Sequence, residues 1–190
     1  LWFVADPTDN GVIPAYHESE NWLATVAAID DNFATGTAVE DDDGEELQSF
    51  LSFQATGSPI AYGGLEPGQD TNTLFATTSL LVTGNTGLDQ LVSGDDMCIT
   101  YPSCSGNATS TIYATSSEYA LSEVLYNTTG ITLTGTPAEL EIDIASTTAT
   151  STYSSGDTYW GIAVPSEIAI SGDYIGVNTI TGVIAETADW

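Results

Sequence analysis

The stretch AELEIDI, Ala138–Ile144, decides how the fold of this chain is interpreted, because its apolar and acidic side chains alternate. The two alternate sets are Leu140, Ile142 and Ile144 on one side, and Glu139, Glu141 and Asp143 on the other. Successive side chains of a β-strand point to opposite faces of a sheet, so one face would be buried and the other solvated. The stretch therefore predicts a half-buried β-strand.

Segments of similar length and composition recur along the chain. The other predicted strands are Trp22–Ile29, Glu46–Phe53, Leu74–Val82, Thr111–Thr115, Ile131–Thr134, Tyr159–Val164 and Asn178–Ala185. Turn-forming clusters such as TGNTG (83–87) and VSGDD (92–96) separate them. Ser116–Tyr126 mixes aromatic residues with good helix formers, and we predict a loop or an edge element there. Short strands separated by turn clusters predict an all-β fold, specifically a β-sandwich.

The charge balance of the chain excludes two classes of partner. The chain has no lysine or arginine and 27 acidic residues, so its formal net charge is -27. Binding to nucleic acid or to anionic lipid depends on basic side chains, so we expect neither. We also expect no membrane insertion, because no apolar run approaches the ~18 residues needed to span a bilayer. The absence of lysine also excludes covalent polymerisation through a lysine amine, so the contacts in any polymer of this chain would be non-covalent or would use other bonds.

The only two cysteines, Cys98 and Cys104, are predicted to form a structural disulfide. Their C-x5-C spacing does not match the C-x2-C half-site of a zinc knuckle, and the only histidine, His17, lies far away in the sequence. An even cysteine count is typical of proteins that fold in an oxidising, extracellular compartment. Closing a ring of this length would stabilise the fold by about 2.4 kcal/mol through chain entropy.

Residues 1–45 are predicted to be an extended segment that is distinct from the domain at residues 46–190. The segment begins with the apolar run Leu1, Trp2, Phe3 and Val4 and ends in the acidic run EDDDGEE (40–46). Two alternatives stay open for it. It forms the first hairpin of its own sandwich, or it is exchanged between subunits and completes the sheet of a neighbour, with the LWFV run as the subunit contact.

Two longer stretches carry a resemblance to a known group of proteins. Residues 61–98, AYGGLEPGQDTNTLFATTSLLVTGNTGLDQLVSGDDMC, resemble a run in secreted β-sandwich domains, where a PG turn, a strand, an NTG turn and a second strand follow one another. Residues 158–186, TYWGIAVPSEIAISGDYIGVNTITGVIAE, are similar to the ending of the same domains. The resemblance covers about residues 46–190 and is closest to uncharacterised surface proteins of candidate-phylum bacteria. It implies an exported, immunoglobulin-like sandwich of cell-surface layers or fibres, without catalytic residues.

The acidic run in AVEDDDGEELQSF (38–50) raises the question of calcium. An EF-hand loop is excluded, because placing Gly44 at loop position 6 puts Val39 at position 1 and Phe50 at position 12. A solvated acidic turn is the favoured interpretation, and an irregular calcium site is the alternative. Its candidate ligands are Asp41, Asp42, Asp43 and Glu45. At the pairs Asp30–Asp31 and Asp95–Asp96, turn capping is favoured over calcium.

No catalytic machinery is predicted. His17 would have to serve any Ser-His-acid triad, yet the chain has no G-x-S-x-G element to present a serine, and a structural or interface histidine is favoured. The sequons at Asn107 and Asn127 fall in predicted loops and are candidate glycosylation sites. We therefore predict that the protein is not an enzyme and binds no obligatory cofactor.

Three hypotheses for the function follow from these observations. The favoured one is a structural subunit of an extracellular filament or surface array, a homopolymer of copies of this chain that assembles non-covalently, by β-strand addition. The second is an adhesive cell-surface module that binds glycans through exposed Trp and Tyr side chains. The third is a secreted hydrolase with a carboxylate pair in a cleft, which no residue pair singles out. Divalent cations are further expected partners, because they would screen the charge between copies.

Overall fold

The computed structural model describes Thr8 and residues 20–40, 44–57, 59–147 and 152–186. These residues form twelve strands, one 3-10 turn at Ala114–Ser116 and no α-helix. The strands are β1 Thr25–Val26, β2 Val39–Glu40, β3 Phe53–Thr56, β4 Ala76–Val82, β5 Leu88–Gly94, β6 Met97–Cys98, β7 Thr111–Ile112, β8 Ser117–Ala120, β9 Ile131–Thr132, β10 Ala138–Ile144, β11 Ser155–Ile162 and β12 Asn178–Ile184. The all-β prediction is confirmed. No helix among the described residues is long and apolar enough to cross a membrane.

Five of the strands form one open antiparallel sheet in the order β3-β4-β11-β8-β9. Its central strand is β11, in which Trp160 lies between Ala76 of β4 and Tyr119 of β8. Burial alternates along β4, where Thr78, Leu80 and Val82 are buried. This period of two gives the sheet one apolar inner face.

Three strands form a second open antiparallel sheet in the order β10-β5-β12. The pairing of β5 with β12 is regular over seven positions, from Asn178 with Gly94 to Ile184 with Leu88. The pairing of β10 with β5 shifts register between Leu140 and Ile144, which pair with Gln90 and Leu88. Residues 141–143 of β10 therefore lie opposite a single residue of β5, Asp89, as in a β-bulge.

The two sheets share their apolar core. One cluster joins Trp160 and Tyr119 of the larger sheet to Val92 and Leu140 of the smaller one, and a second cluster joins Leu80 and Val82 to Leu88 and Ile144. Trp160 is fully buried, and its Nε1 donates a hydrogen bond of 2.9 Å to Thr78 Oγ1. Gln90 Nε2 donates a 2.6 Å hydrogen bond to Thr158 Oγ1 and so links the sheets through their polar groups.

The structure corrects several predicted strand positions. The segment Ser116–Tyr126, which we predicted to be a loop or an edge element, contains β8, an inner strand whose four residues are all buried. In the segment Trp22–Ile29 only Thr25 and Val26 are strand, and in Glu46–Phe53 the strand begins at Phe53. The strand β5 was not among those predicted from the pattern of side chains, although the family resemblance implied a second strand after the NTG turn.

The predicted disulfide joins Cys98 to Cys104, whose Cα atoms are 5.5 Å apart. Cys98 belongs to β6, which pairs with β7, and its backbone also bridges to Ile175. The bond therefore closes a surface loop against the small β6-β7 sheet. No described cysteine is free.

Thr8 contacts the segment that enters β3. Thr8 is buried, and its N–H donates a 2.9 Å hydrogen bond to the carbonyl oxygen of Leu47. The N–H of Leu47 in turn donates to Thr8 Oγ1 over 2.9 Å. This reciprocal pair connects the beginning of the chain to the segment that enters β3.

Candidate functional site

A hairpin built from β1 and β2 is separate from both large sheets. Thr25 pairs with Glu40 and Val26 pairs with Val39, and further bridges join Ile29 to Thr35. The turn at its tip is capped by Asp30, whose Oδ1 accepts hydrogen bonds from the N–H groups of Asn32 and Ala34 at 2.9 and 2.8 Å. The turn-capping interpretation of Asp30 is thus confirmed.

The hairpin exposes apolar side chains over its whole length, because every residue from 20 to 39 is exposed. Phe33 at the tip is 87% exposed, and Val26 and Val39 in the arms are 71% and 69% exposed. Phe33 also has a φ of 65°, a left-handed conformation that bulky residues rarely adopt. An exposed aromatic side chain in a strained conformation is typical of a contact residue rather than of a solvated turn.

The β1 arm of the hairpin is also uncharged. The acids within residues 20–40 are Glu20, Asp30, Asp31 and Glu40, and Glu40 belongs to β2, where it pairs with Thr25. The β1 arm, residues 21–29, contains no acid, and the other arm contains none over residues 32–39. On a chain with a net charge of -27, the β1 arm offers another copy nine successive residues without a carboxylate.

A groove opens between β3 and β12, which are edge strands of the two large sheets. Its cavity has a volume of about 480 Å³ and is lined by Ala55 and Thr56 from β3 and by Asn178 and Ile180 from β12, among others. None of its thirteen lining residues is acidic. On its rim, Ile175 is 56% exposed and apolar.

One wall of the groove is the irregular segment Pro59–Leu65, which packs Ile60 and Tyr62 against the core. Burial raises the pKa of Tyr62 to about 12, and hydrogen bonds with the side chains of Asn178 and Ser117 lower it in part. The segment forms no backbone hydrogen bond with another described residue, so it covers apolar side chains without extending a sheet. A second cavity of about 640 Å³ lies against the same segment.

A carboxylate cluster lies at the bulge of β10. Asp89 is 1% exposed, and its Oδ1 accepts a 2.9 Å hydrogen bond from the N–H of Asp143, which has a φ of 49°. Carboxylate oxygens of Asp89, Glu141 and Asp143 lie within 4.8 Å of one another. Hard divalent cations such as Ca²⁺ take oxygen ligands of this kind, so these residues could hold one. No lysine or arginine exists to pair with them.

The pKa of the Glu141 carboxyl group is raised, first by desolvation and then by repulsion from Asp89, Glu186, Glu139 and Asp143. A raised pKa in the folded state means that this group favours folding at acidic pH. Its contribution to the free energy of unfolding is complete at pH values below the unfolded-state pKa of 4.5. The contribution is lost as the pH rises through the higher pKa of the folded state.

We therefore expect Glu141→Gln to raise the melting temperature at pH 7 and low ionic strength, because it removes a repelled charge. The gain should shrink below pH 4, where the wild-type carboxyl group is already protonated, and also with added salt. Calorimetric melting curves of both proteins from pH 3 to pH 8 measure this. Glu123→Gln, at an exposed residue outside the cluster, is the matched control. A lower melting temperature for Glu141→Gln at pH 7 in calcium-free buffer would contradict the account.

Of the calcium ligands predicted from the sequence, only Glu45 lies among the described residues, and it is not part of this cluster. Asp41, Asp42 and Asp43 lie outside the described residues, and so does His17. Glu45 is exposed, and its backbone exchanges two 2.9 Å hydrogen bonds with Trp22 at the base of the hairpin. The cluster at Asp89 was missed because its members come from two strands.

The remaining predicted site residues are distributed as follows. Leu1, Trp2, Phe3 and Val4, the predicted subunit contacts, lie outside the described part of the chain. Asn107 and Asn127 are both exposed in turns, and Asn107 Oδ1 accepts hydrogen bonds from the N–H and the hydroxyl of Thr109 at 3.1 Å. Both sequons remain candidate glycosylation sites.

Comparison with known proteins adds no functional assignment. No family model matches the chain, and no curated protein or solved structure matches it significantly. The hairpin, the groove and the charge distribution are therefore the features from which a function is inferred.

Proposed function

We propose that this chain is an exported, immunoglobulin-like β-sandwich that serves as the structural subunit of an extracellular filament or surface array. Copies assemble non-covalently, by β-strand addition, in which an extended segment of one copy pairs with a sheet edge of the next. The disulfide supports an extracellular location, since disulfides persist in oxidising compartments.

The observation that carries this proposal is the exposed, uncharged hairpin. Isolated apolar residues on a surface are ordinary, but a contiguous exposed apolar segment marks an interaction site. In this hairpin the β1 arm, residues 21–29, is exposed and contains no acid, and the other arm is exposed and acid-free over residues 32–39, whereas the chain as a whole has 27 acids. A two-stranded hairpin alone is marginally stable in water, so docking on another sheet would also stabilise it.

The net charge sets the conditions under which copies would assemble. Each copy has a formal charge of -27 and repels the others, and the screening length is about 8 Å at physiological ionic strength. Assembly should therefore be weak at low salt and stronger with added salt or divalent cations. A divalent cation bound at Asp89, Glu141 and Asp143 would reduce the charge of each copy further.

The test is negative-stain electron microscopy of the purified chain at 10 and 150 mM salt, each with calcium or with a chelator. Regular fibres or sheets at the higher salt are the expected result. Dispersed monomers in all four conditions would contradict the proposal. If those monomers bound immobilised polysaccharide, the adhesive-module hypothesis would replace it.

A further inference from the structure

We propose that the free edge of β12, together with the groove beside it, is the acceptor for the β1 arm (21–29) of the hairpin of a second copy. This inference rests on the proposed function, because it specifies the two surfaces that strand addition would use. The donor is the β1 arm, the acceptor is the edge strand β12, and the partner is a second copy of this chain.

Comparison of the four sheet edges favours β12. The edge strand β10 has three acids, Glu139, Glu141 and Asp143, and a bulge, and both features discourage strand addition. The edge strands β9 and β3 are only 2 and 4 residues long. In contrast, β12 has 7 residues, regular pairing with β5, and no charge, proline or bulge. It is the one long edge among the described strands without a protective feature.

The backbone of β12 offers a free row of hydrogen-bonding groups. Two hydrogen bonds flank β12, from Asp95 N–H to Val177 O and from Ala185 N–H to Gly87 O. They show that the odd-numbered residues of β12 direct their backbone N–H and C=O groups toward β5. In an antiparallel pair the intervening residues direct their N–H and C=O groups away from the partner strand. These residues are Asn178, Ile180, Gly182 and Ile184. Within the described part of the chain, no strand other than β5 pairs with β12.

Charge and length both indicate that a second copy occupies this edge. The β1 arm has nine residues without an acid, and the groove that borders β12 is lined by none. Joining these two surfaces avoids placing carboxylates of two copies against each other at the contact. At about 3.3 Å per residue, the arm spans about 30 Å and β12 about 23 Å, so the arm is long enough to pair with the whole edge.

The rim of the groove would receive the side chains of the arm. Ile175 and Val177 are 56% and 45% exposed and both line the groove. Ile180 also lines the groove and packs against both core clusters. Apolar side chains of the arm, such as Val26 and Ile29, would cover this surface and become buried with it.

The first test is Ile175→Glu, with Leu125→Glu as its matched control. Both residues are exposed, at 56% and 60%, and the backbone of each forms one isolated bridge, to Cys98 and to Thr73 respectively. Each variant adds one negative charge, but only Ile175 lines the groove. We expect Ile175→Glu to raise the concentration at which polymers sediment by at least about tenfold, and Leu125→Glu to change it less than about twofold. Thermal melting checks that both variants fold.

The second test is disulfide trapping between two variants. A chain with Ala27→Cys or Ala28→Cys, adjacent positions of the arm, is mixed with a chain that contains Thr181→Cys on β12 and oxidised mildly. A mixed dimer on a non-reducing gel is the expected result. Thr132→Cys, on the edge strand β9, replaces the acceptor variant as the control and should give none.

The outcomes separate the inference from the proposed function. If Ile175→Glu and Leu125→Glu change the concentration for polymer formation equally, or if Thr132→Cys gives a disulfide-linked mixed dimer, β12 is not the acceptor. The filament proposal would remain intact. Absence of polymers from the wild-type chain in every condition would overturn both. Weaker assembly of Ile175→Glu than of Leu125→Glu, together with a mixed disulfide dimer through Thr181→Cys, supports both the acceptor inference and the filament proposal.

Discussion

Replacing Val26 by glutamate is expected to weaken the assembly of this chain strongly and to leave its thermal unfolding unchanged. Val26 is 71% exposed in the hairpin and is not part of the core clusters, so the fold should not depend on its side chain. In a polymer the side chain would be buried, which contributes about 1.5–3 kcal/mol. Because 1.4 kcal/mol corresponds to a factor of ten, the critical concentration should rise about 10- to 100-fold, and further through repulsion between carboxylates.

Sedimentation and electron microscopy of Val26→Glu at 150 mM salt measure this effect. Val26→Thr is the matched control, since it retains a β-branched side chain without adding a charge. It should assemble at a concentration between those of the wild type and Val26→Glu. Polymers of Val26→Glu at the wild-type concentration would show that the hairpin is not the donor.

Replacing Trp160 by alanine is expected to cause the largest loss of stability. Trp160 is 0% exposed, its ring centroid is 5.6 Å from that of Tyr119, and its Nε1 donates a hydrogen bond to Thr78. Truncation leaves a cavity between the two sheets and an unpaired hydroxyl group, which costs about 3–5 kcal/mol. For a chain of this length the melting temperature should fall by roughly 6–20 °C.

Denaturant unfolding followed by circular dichroism measures the loss. Trp160→Phe retains an aromatic ring and removes the hydrogen bond to Thr78, so it should cost less than the alanine variant. Below its melting temperature, folded Trp160→Ala should still assemble, because the hairpin and β12 are unchanged. A loss under 1 kcal/mol for Trp160→Ala would show that the two sheets do not depend on a shared core.

Local sequence patterns were sufficient to predict strands in which one face is solvated. The segment Ala138–Ile144 is a strand as predicted, with Leu140 and Ile144 buried and Glu139 exposed. The pattern failed for β5, where Asp89 and Gln90 are almost fully buried although they are polar. All seven residues of β5 are buried or half-buried, so both faces of this strand are covered and its polar residues give no solvated side to detect.

The candidate site was predictable only in part, for a different reason. Trp22–Ile29 was recognised as β-forming, but the pattern did not show that β1 and β2 pair only with each other, as a sheet separate from the two large ones. The acidic cluster depends on the register that places Asp89 beside Glu141 and Asp143, more than 50 positions later in the chain. Register between distant strands is a property of tertiary packing, which no local window contains.

The strand order β10-β5-β12 also determines when during synthesis an acceptor can exist. Both neighbours of β5 come from later in the chain, and the second of them, β12, begins only at Asn178. Such long-range pairing is slow to form, because a large loop must close before its contacts stabilise it. A chain whose synthesis has not yet passed β12 therefore exposes its hairpin, but it lacks the β12 edge that would bind the hairpin of another copy. Under the proposed scheme, completion of each subunit comes before growth of the polymer, and nascent chains cannot extend one another.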